Sequence, residues 1–159
     1  MAEDLTGLIA QLRAVGGDTT AIEVKSAAGG LPESMAQSLS SLSNLPGGGL
    51  IILGVDEKTG FRPVPLANPQ VLKQGLAAKA RTCTPPVRLT IDDAIVDGVM
   101  VIAARVHECD TSAKPCRVSA TGAAYLRASW PSVTRRCSTG LPWQAVRRRI
   151  WIRTLSRAS

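Results

Sequence analysis

An α+β fold is expected for this chain: a mixed or mostly antiparallel sheet with two or three packed helices, in a single domain. Three features carry that expectation. Apolar residues recur at helical spacing in some segments and alternate at period two in others. A strong hairpin dipeptide, Asp97-Gly98, lies between two alternating runs. The 159 residues are 45% hydrophobic, enough for one real core. That core must be aliphatic, because the chain holds one Phe and one Tyr.

The elements follow in order. Leu5, Leu8, Ile9 and Leu12 mark an amphipathic helix over 3–15, stopped by Gly16-Gly17. Residues 20–25 alternate, with Ile22 and Val24 on one face and Glu23 and Lys25 on the other, as in a half-buried strand. Pro32 and Glu33 suit the first turn of a second helix. Met35, Leu39 and Leu42 form its buried stripe, and Asn44 ends it. Residues 49–55 read as a central strand, followed by the polar turn Asp56-Glu57-Lys58-Thr59-Gly60. Asn68-Pro69 opens a third helix running to about Arg81, with Val71, Leu72 and Leu76 facing inward. Pro85-Pro86 breaks it. Val87, Leu89 and Ile91 form a strand; a short strand near Ala94 and a longer one over 99–106 flank the Asp97-Gly98 turn. Residues 116–118 and 123–127 suggest a last hairpin around Thr121-Gly122.

Charge is uneven. Through Asp110, nine Lys/Arg against twelve Asp/Glu leave −3; beyond it, ten Lys/Arg stand with no acid. A basic segment of this kind suits phosphate backbones or a solvated tail. Past Ser129 the apolar pattern fails and all three tryptophans appear. Residues 130–159 therefore read as a basic tail that suits a docking helix on Trp143, Val146 and Ile150, a disordered segment, or a frame-shifted stretch. No run reaches membrane-spanning length, and Glu3 and Asp4 do not fit a secretory leader. A cytoplasmic protein with reduced thiols and no membrane partner is expected. Cys83, Cys109, Cys116 and Cys137 form no C-x-x-C pair, and with His107 they fit no zinc spacing.

Two stretches invite chemistry. Gly47-Gly48-Gly49 follows a helix and opens a strand, the reverse of a phosphate loop, and no Lys-Ser or Lys-Thr follows it. A helix-to-strand turn is the plain reading. Asp18, Glu23 and Asp56 flank two predicted strands, with Lys25 beside them. Carboxylates converging at one rim can hold a hard divalent cation. An ordinary solvated Glu–Lys face accounts for the same residue types.

Asp18, four residues, Glu23-Val24-Lys25, a helix ending in Asn44, Gly47-Gly48, and the run from Leu50 to Gly54-Val55-Asp56 together resemble the Schlafen AlbA-like domain, a family also described as DNA-binding or divergent AAA-type. Pro85-Pro86-Val87 and Gly122 to Arg127 add to the likeness, which spans roughly 5–128 and defines a domain over 1–129. Asp18 stands where the family usually has Glu. The resemblance implies an α+β nucleic-acid-binding fold, often N-terminal in bacterial transcriptional regulators. In some members the positions of Asp18, Glu23 and Asp56 form a metal-dependent endoribonuclease site, which here would take Mg or Mn with Lys25 in support.

Three functions follow as expectations. The first is a cofactor-free module that binds DNA or structured RNA through phosphate contacts from Lys25, Arg127, Arg135 and Arg136. The second is the Schlafen-type nuclease on Asp18, Glu23, Asp56 and Lys25. The third is an assembly module, and a homodimer is compatible with each.

Overall fold

The computed structural model of the protein describes residues 2–16, 20–119 and 123–124. Asp18, the Thr121-Gly122 turn, Arg127, Cys137 and the 130–159 segment with Arg135 and Arg136 lie outside the described residues. The described elements are α1 (Ala2–Val15), β1 (Ile22–Lys25), α2 (Met35–Ser43), β2 (Gly49–Leu53), β3 (Val55–Asp56), β4 (Arg62–Pro63), α3 (Pro69–Arg81), β5 (Cys83–Thr84), β6 (Leu89–Val96), β7 (Val99–Val106), β8 (Arg117–Val118) and β9 (Ala123–Ala124). No described helix is long and apolar enough to cross a membrane.

The main sheet is mixed, in the order β1-β2-β7-β6. β1 and β2 run parallel, with α2 as their crossover, and the other pairs are antiparallel. Period-two alternation splits the apolar residues between two layers. Val24, Ile52, Val101, Ala103 and Val96 face α1, where Leu5, Ile9 and Leu12 close a core completed by Val55 and Phe61. Ile51, Leu53, Ile102 and Ala104 point the other way and are fully buried, as are Met35, Leu39 and Leu42 of α2 and Leu76 of α3. β2 is thus covered on both faces, which is why it reads as an unbroken apolar run. Among the described residues there are also two small sheets, β3-β4 and β5-β8-β9.

Local chemistry sets the boundaries. Asn68 caps α3, its Oδ1 accepting from the Val71 amide at 3.2 Å, and Pro69 sits in the first turn. Asp97 (φ 51°) and Gly98 (φ 78°) both adopt positive φ, the signature of a two-residue I′ hairpin.

Three expectations are corrected. α2 begins at Met35, because Pro32 and Glu33 belong to a turn in which the Met35 amide bonds the Pro32 carbonyl at 3.1 Å. Val71 is 57% exposed; the buried stripe is Leu72, Leu76 and Ala80, and Val71 lies about 100° around the helix from it. The strand near Ala94 is not separate. β6 is one eight-residue strand, whose acids are tolerated because it lies at the sheet edge.

Candidate functional site

Because Val24 points into the α1 core, Glu23 and Lys25 project together from the opposite face of β1. There they form an ion pair at 2.8 Å, with side chains 13% and 34% exposed. Ser38 of α2 donates to the same Glu23 Oε1 at 3.4 Å. The parallel register sets Lys25 opposite Leu53, and the Gly54 amide bonds the Lys25 carbonyl at 3.0 Å. Gly54 (φ +92°) then redirects the chain so that β3 packs against β1.

Asp56 ends β3. Its Oδ1 accepts from the Lys58 amide at 3.1 Å and caps the 3-10 turn Glu57–Thr59. Arg62 pairs across from Asp56 on β4. Lys58 and Arg62 are both exposed, and neither joins an ion pair among the described residues. Sequence reasoning does not single out these two cations. The polar turn is legible in it, but the return across β3 is not.

Of the expected acidic triad, Glu23 and Asp56 lie on elements in contact, and Asp18 is outside the described residues. Glu23 Oε1 is already engaged by a cation and a hydroxyl, and Asp56 Oδ1 by an amide. Among the described residues no group of three or more His, Cys, Asp or Glu side chains could hold a metal ion. Those residues by themselves do not make a divalent site, since a hard cation needs more oxygen donors. Among the described residues His107, Cys83, Cys109 and Cys116 form no ligand group of three or more, and the His107 ring bonds Thr90 at 2.8 Å.

The glycine run is structural. The Gly47 amide donates to the Glu108 carboxylate at 2.7 Å, so an acid occupies the place a phosphate would take. Gly48 (φ +75°) presses on the end of β7: a Cβ there would lie 2.0 Å from the Val106 carbonyl oxygen. Asn44, 1% exposed, does more than end α2. Its Nδ2 donates to the Cys116 carbonyl at 3.1 Å, and its Oδ1 accepts from the Cys116 amide at 2.7 Å. Ser40 adds a bond to that carbonyl at 2.9 Å.

The Cys116 thiol neighbours Cys83. The Cys83 pKa is pushed up, first by its hydrogen bond to Cys116 and then by burial. Cys116 is drawn down to about 6, chiefly by the Cys83 S–H, with the Ser43 and Ser40 hydroxyls assisting against burial. Burial is the main cause that raises Cys109.

Residues 18–133 match the family described as Schlafen, AlbA_2. Among solved structures, the chain is similar to the N-terminal domain, determined in solution by NMR, of a RecG-related protein from Nitrosomonas europaea whose name relates it to ATP-dependent DNA helicases. The two are 31% identical over 83% of this chain and 92% of that one, with a TM-score of 0.60. The DIP2311 protein of Corynebacterium diphtheriae shares the fold at 21% identity and a TM-score of 0.51, over 79% of this chain and 25% of its own. No curated protein matches the sequence.

Proposed function

The chain belongs to the Schlafen AlbA_2 family, and from that membership we propose that it binds nucleic acid mainly through phosphate contacts, as a domain of a bacterial transcriptional regulator. The observation that carries this reading is the distribution of cations. Lys25, Lys58 and Arg62 belong to β1 and the β3-β4 hairpin, which adjoin at one rim of the sheet. The sequence beyond Asp110, with Arg127, Arg135 and Arg136, adds ten Lys/Arg and no acid. The helicase-related name of the Nitrosomonas relative supports DNA as a target. Phe61 is buried, so the described body offers no phenylalanine for base stacking, and recognition rests on the backbone.

Each phosphate neutralised releases counterions, so affinity falls with salt at a log–log slope of about −0.9 per contact. The test is a salt series of binding to duplex DNA and to a folded RNA hairpin. Lys58→Gln with Arg62→Gln is expected to reduce the slope by about 2 on either target. A flat salt response refutes the proposal.

A second reading is Mg- or Mn-dependent cleavage of structured RNA through Asp18, Glu23 and Asp56, with Lys25 in support. It is favoured by one observation: β3, which ends in Asp56, packs against β1, which carries Glu23. Cleavage with Mn that disappears in Glu23→Gln supports it. An intact substrate with both metals removes it.

A further inference from the structure

We propose that β6 is a dimerisation strand, whose outer edge pairs antiparallel with β6 of a second copy in a register centred on Asp93. β6 ends the main sheet, and among the described residues no strand lies beyond it. It is eight residues long, with no proline, glycine or lysine within it. Short length, proline and charged side chains, lysine above all, are the usual devices that blunt an exposed edge; of these β6 carries only Asp92 and Asp93, and Asp93 is paired with Lys73.

The hairpin shows which backbone groups are unpaired. In a two-residue I′ turn the flanking residues, here Val96 and Val99, form a hydrogen-bonded pair. Hydrogen-bonded and non-bonded pairs then alternate along an antiparallel ladder. Ala94 and Asp92 therefore bond inward to β7. The N–H and C=O groups of Ile91, Asp93 and Ile95 point outward.

The outward set is self-complementary about Asp93. A two-fold axis there places Ile91 opposite Ile95 of the partner subunit, and Ile95 opposite the partner's Ile91. Ile95 is 60% exposed, and its cross-strand neighbour Met100 is 36% exposed, so the pairing covers apolar surface. Two hydrogen bonds at each outward pair give roughly six across the interface.

Charge complementarity selects this occupant. Two facing carboxylates alone would repel. However, Lys73 of α3 pairs with Asp93, so the axis brings together two carboxylates and two ammonium groups in alternation. At the end of the strand, Asp97 is held by Arg13 at 2.8 Å. The edge thus carries nearly balanced charge, which suits neither a phosphate backbone nor a strongly basic strand.

The test uses the full chain, freed of nucleic acid at high salt. Sedimentation over a range of concentrations is expected to show the mass doubling. Amide exchange is expected to slow about tenfold or more at Ile91, Asp93 and Ile95 as concentration rises, while Asp92 and Ala94 stay protected throughout. Ile95→Pro removes an outward N–H without touching the β7 ladder, and Ile95→Lys puts a charge opposite the partner's Ile91. Both should yield monomers with unchanged circular dichroism. Lys73→Ala should weaken the dimer, and the swap Lys73→Asp with Asp93→Lys should restore it. A chain that stays monomeric at every concentration overturns the proposal. So does a dimer that survives both Ile95 variants, or a monomer whose edge amides slow only when an unrelated peptide is added.

Discussion

Replacing Asn44 by alanine should be among the costliest single changes in this protein. A primary amide sets a donor and an acceptor side by side, as a peptide group does. Asn44 uses both on one residue, accepting from the Cys116 N–H at 2.7 Å and donating to its C=O at 3.1 Å. After Asn44→Ala the carbonyl keeps Ser40 at 2.9 Å, but the buried N–H loses this partner. An orphaned buried donor costs about 1–3 kcal/mol and the lost donation about 1, so a loss of about 2–4 kcal/mol is expected. That is a large share of a typical stability of about 5–15 kcal/mol. Urea unfolding followed by circular dichroism measures it, and thermal unfolding should shift down by about 5–15 °C. Asn44→Asp sharpens the test. The introduced carboxylate can accept from the amide but faces the carbonyl without a proton, so burial raises its folded pKa above the ordinary value of about 4. Relative to wild type, the variant should be least destabilised below that ordinary value, where the acid is protonated in both states. It should lose stability as pH rises through the folded value. A loss under about 1 kcal/mol for Asn44→Ala, or no pH dependence beyond wild type for Asn44→Asp, would show that the clamp carries little of the fold.

Further outcomes are expected elsewhere. Gly48→Ala puts a Cβ 2.0 Å from the Val106 carbonyl oxygen at φ +75° and should cost more than about 3 kcal/mol, seen as loss of folded protein. Gly47→Ala, also at positive φ but in open space, should cost only about 1 kcal/mol in the same unfolding experiment. Cys83→Ala removes the S–H that stabilises the Cys116 thiolate. The Cys116 pKa should then rise from about 6 toward its ordinary value, visible as a shift in the thiolate absorbance titration relative to wild type. Asn68→Ala deletes the α3 cap and should cost about 1 kcal/mol in urea.

Half of the candidate site is legible in the amino-acid sequence. Alternation alone puts Glu23 and Lys25 on one face, and the ion pair between them is a local i, i+2 matter. The same locality explains α3, bounded by Asn68-Pro69 and ending at Arg81, and the Asp97-Gly98 hairpin. The signals for these elements lie within a few residues of the structure they specify. Composition likewise requires an aliphatic core, and the ordered motifs point to the family.

What depends on the folded chain is whatever links distant positions. No local period reveals that β1 and β2 pair in parallel, or that β3 turns back against β1 and so brings the hairpin carrying Lys58 and Arg62 up to the strand that carries Lys25. Asn44 looks like a helix terminator until Cys116, 72 residues away, supplies the backbone groups it binds. Gly48 looks like a flexible turn until the Val106 carbonyl fills the space where its side chain would be. Propensity and periodicity are properties of neighbouring residues. Burial, close approach and the meeting of charges arise only when packing brings remote segments together.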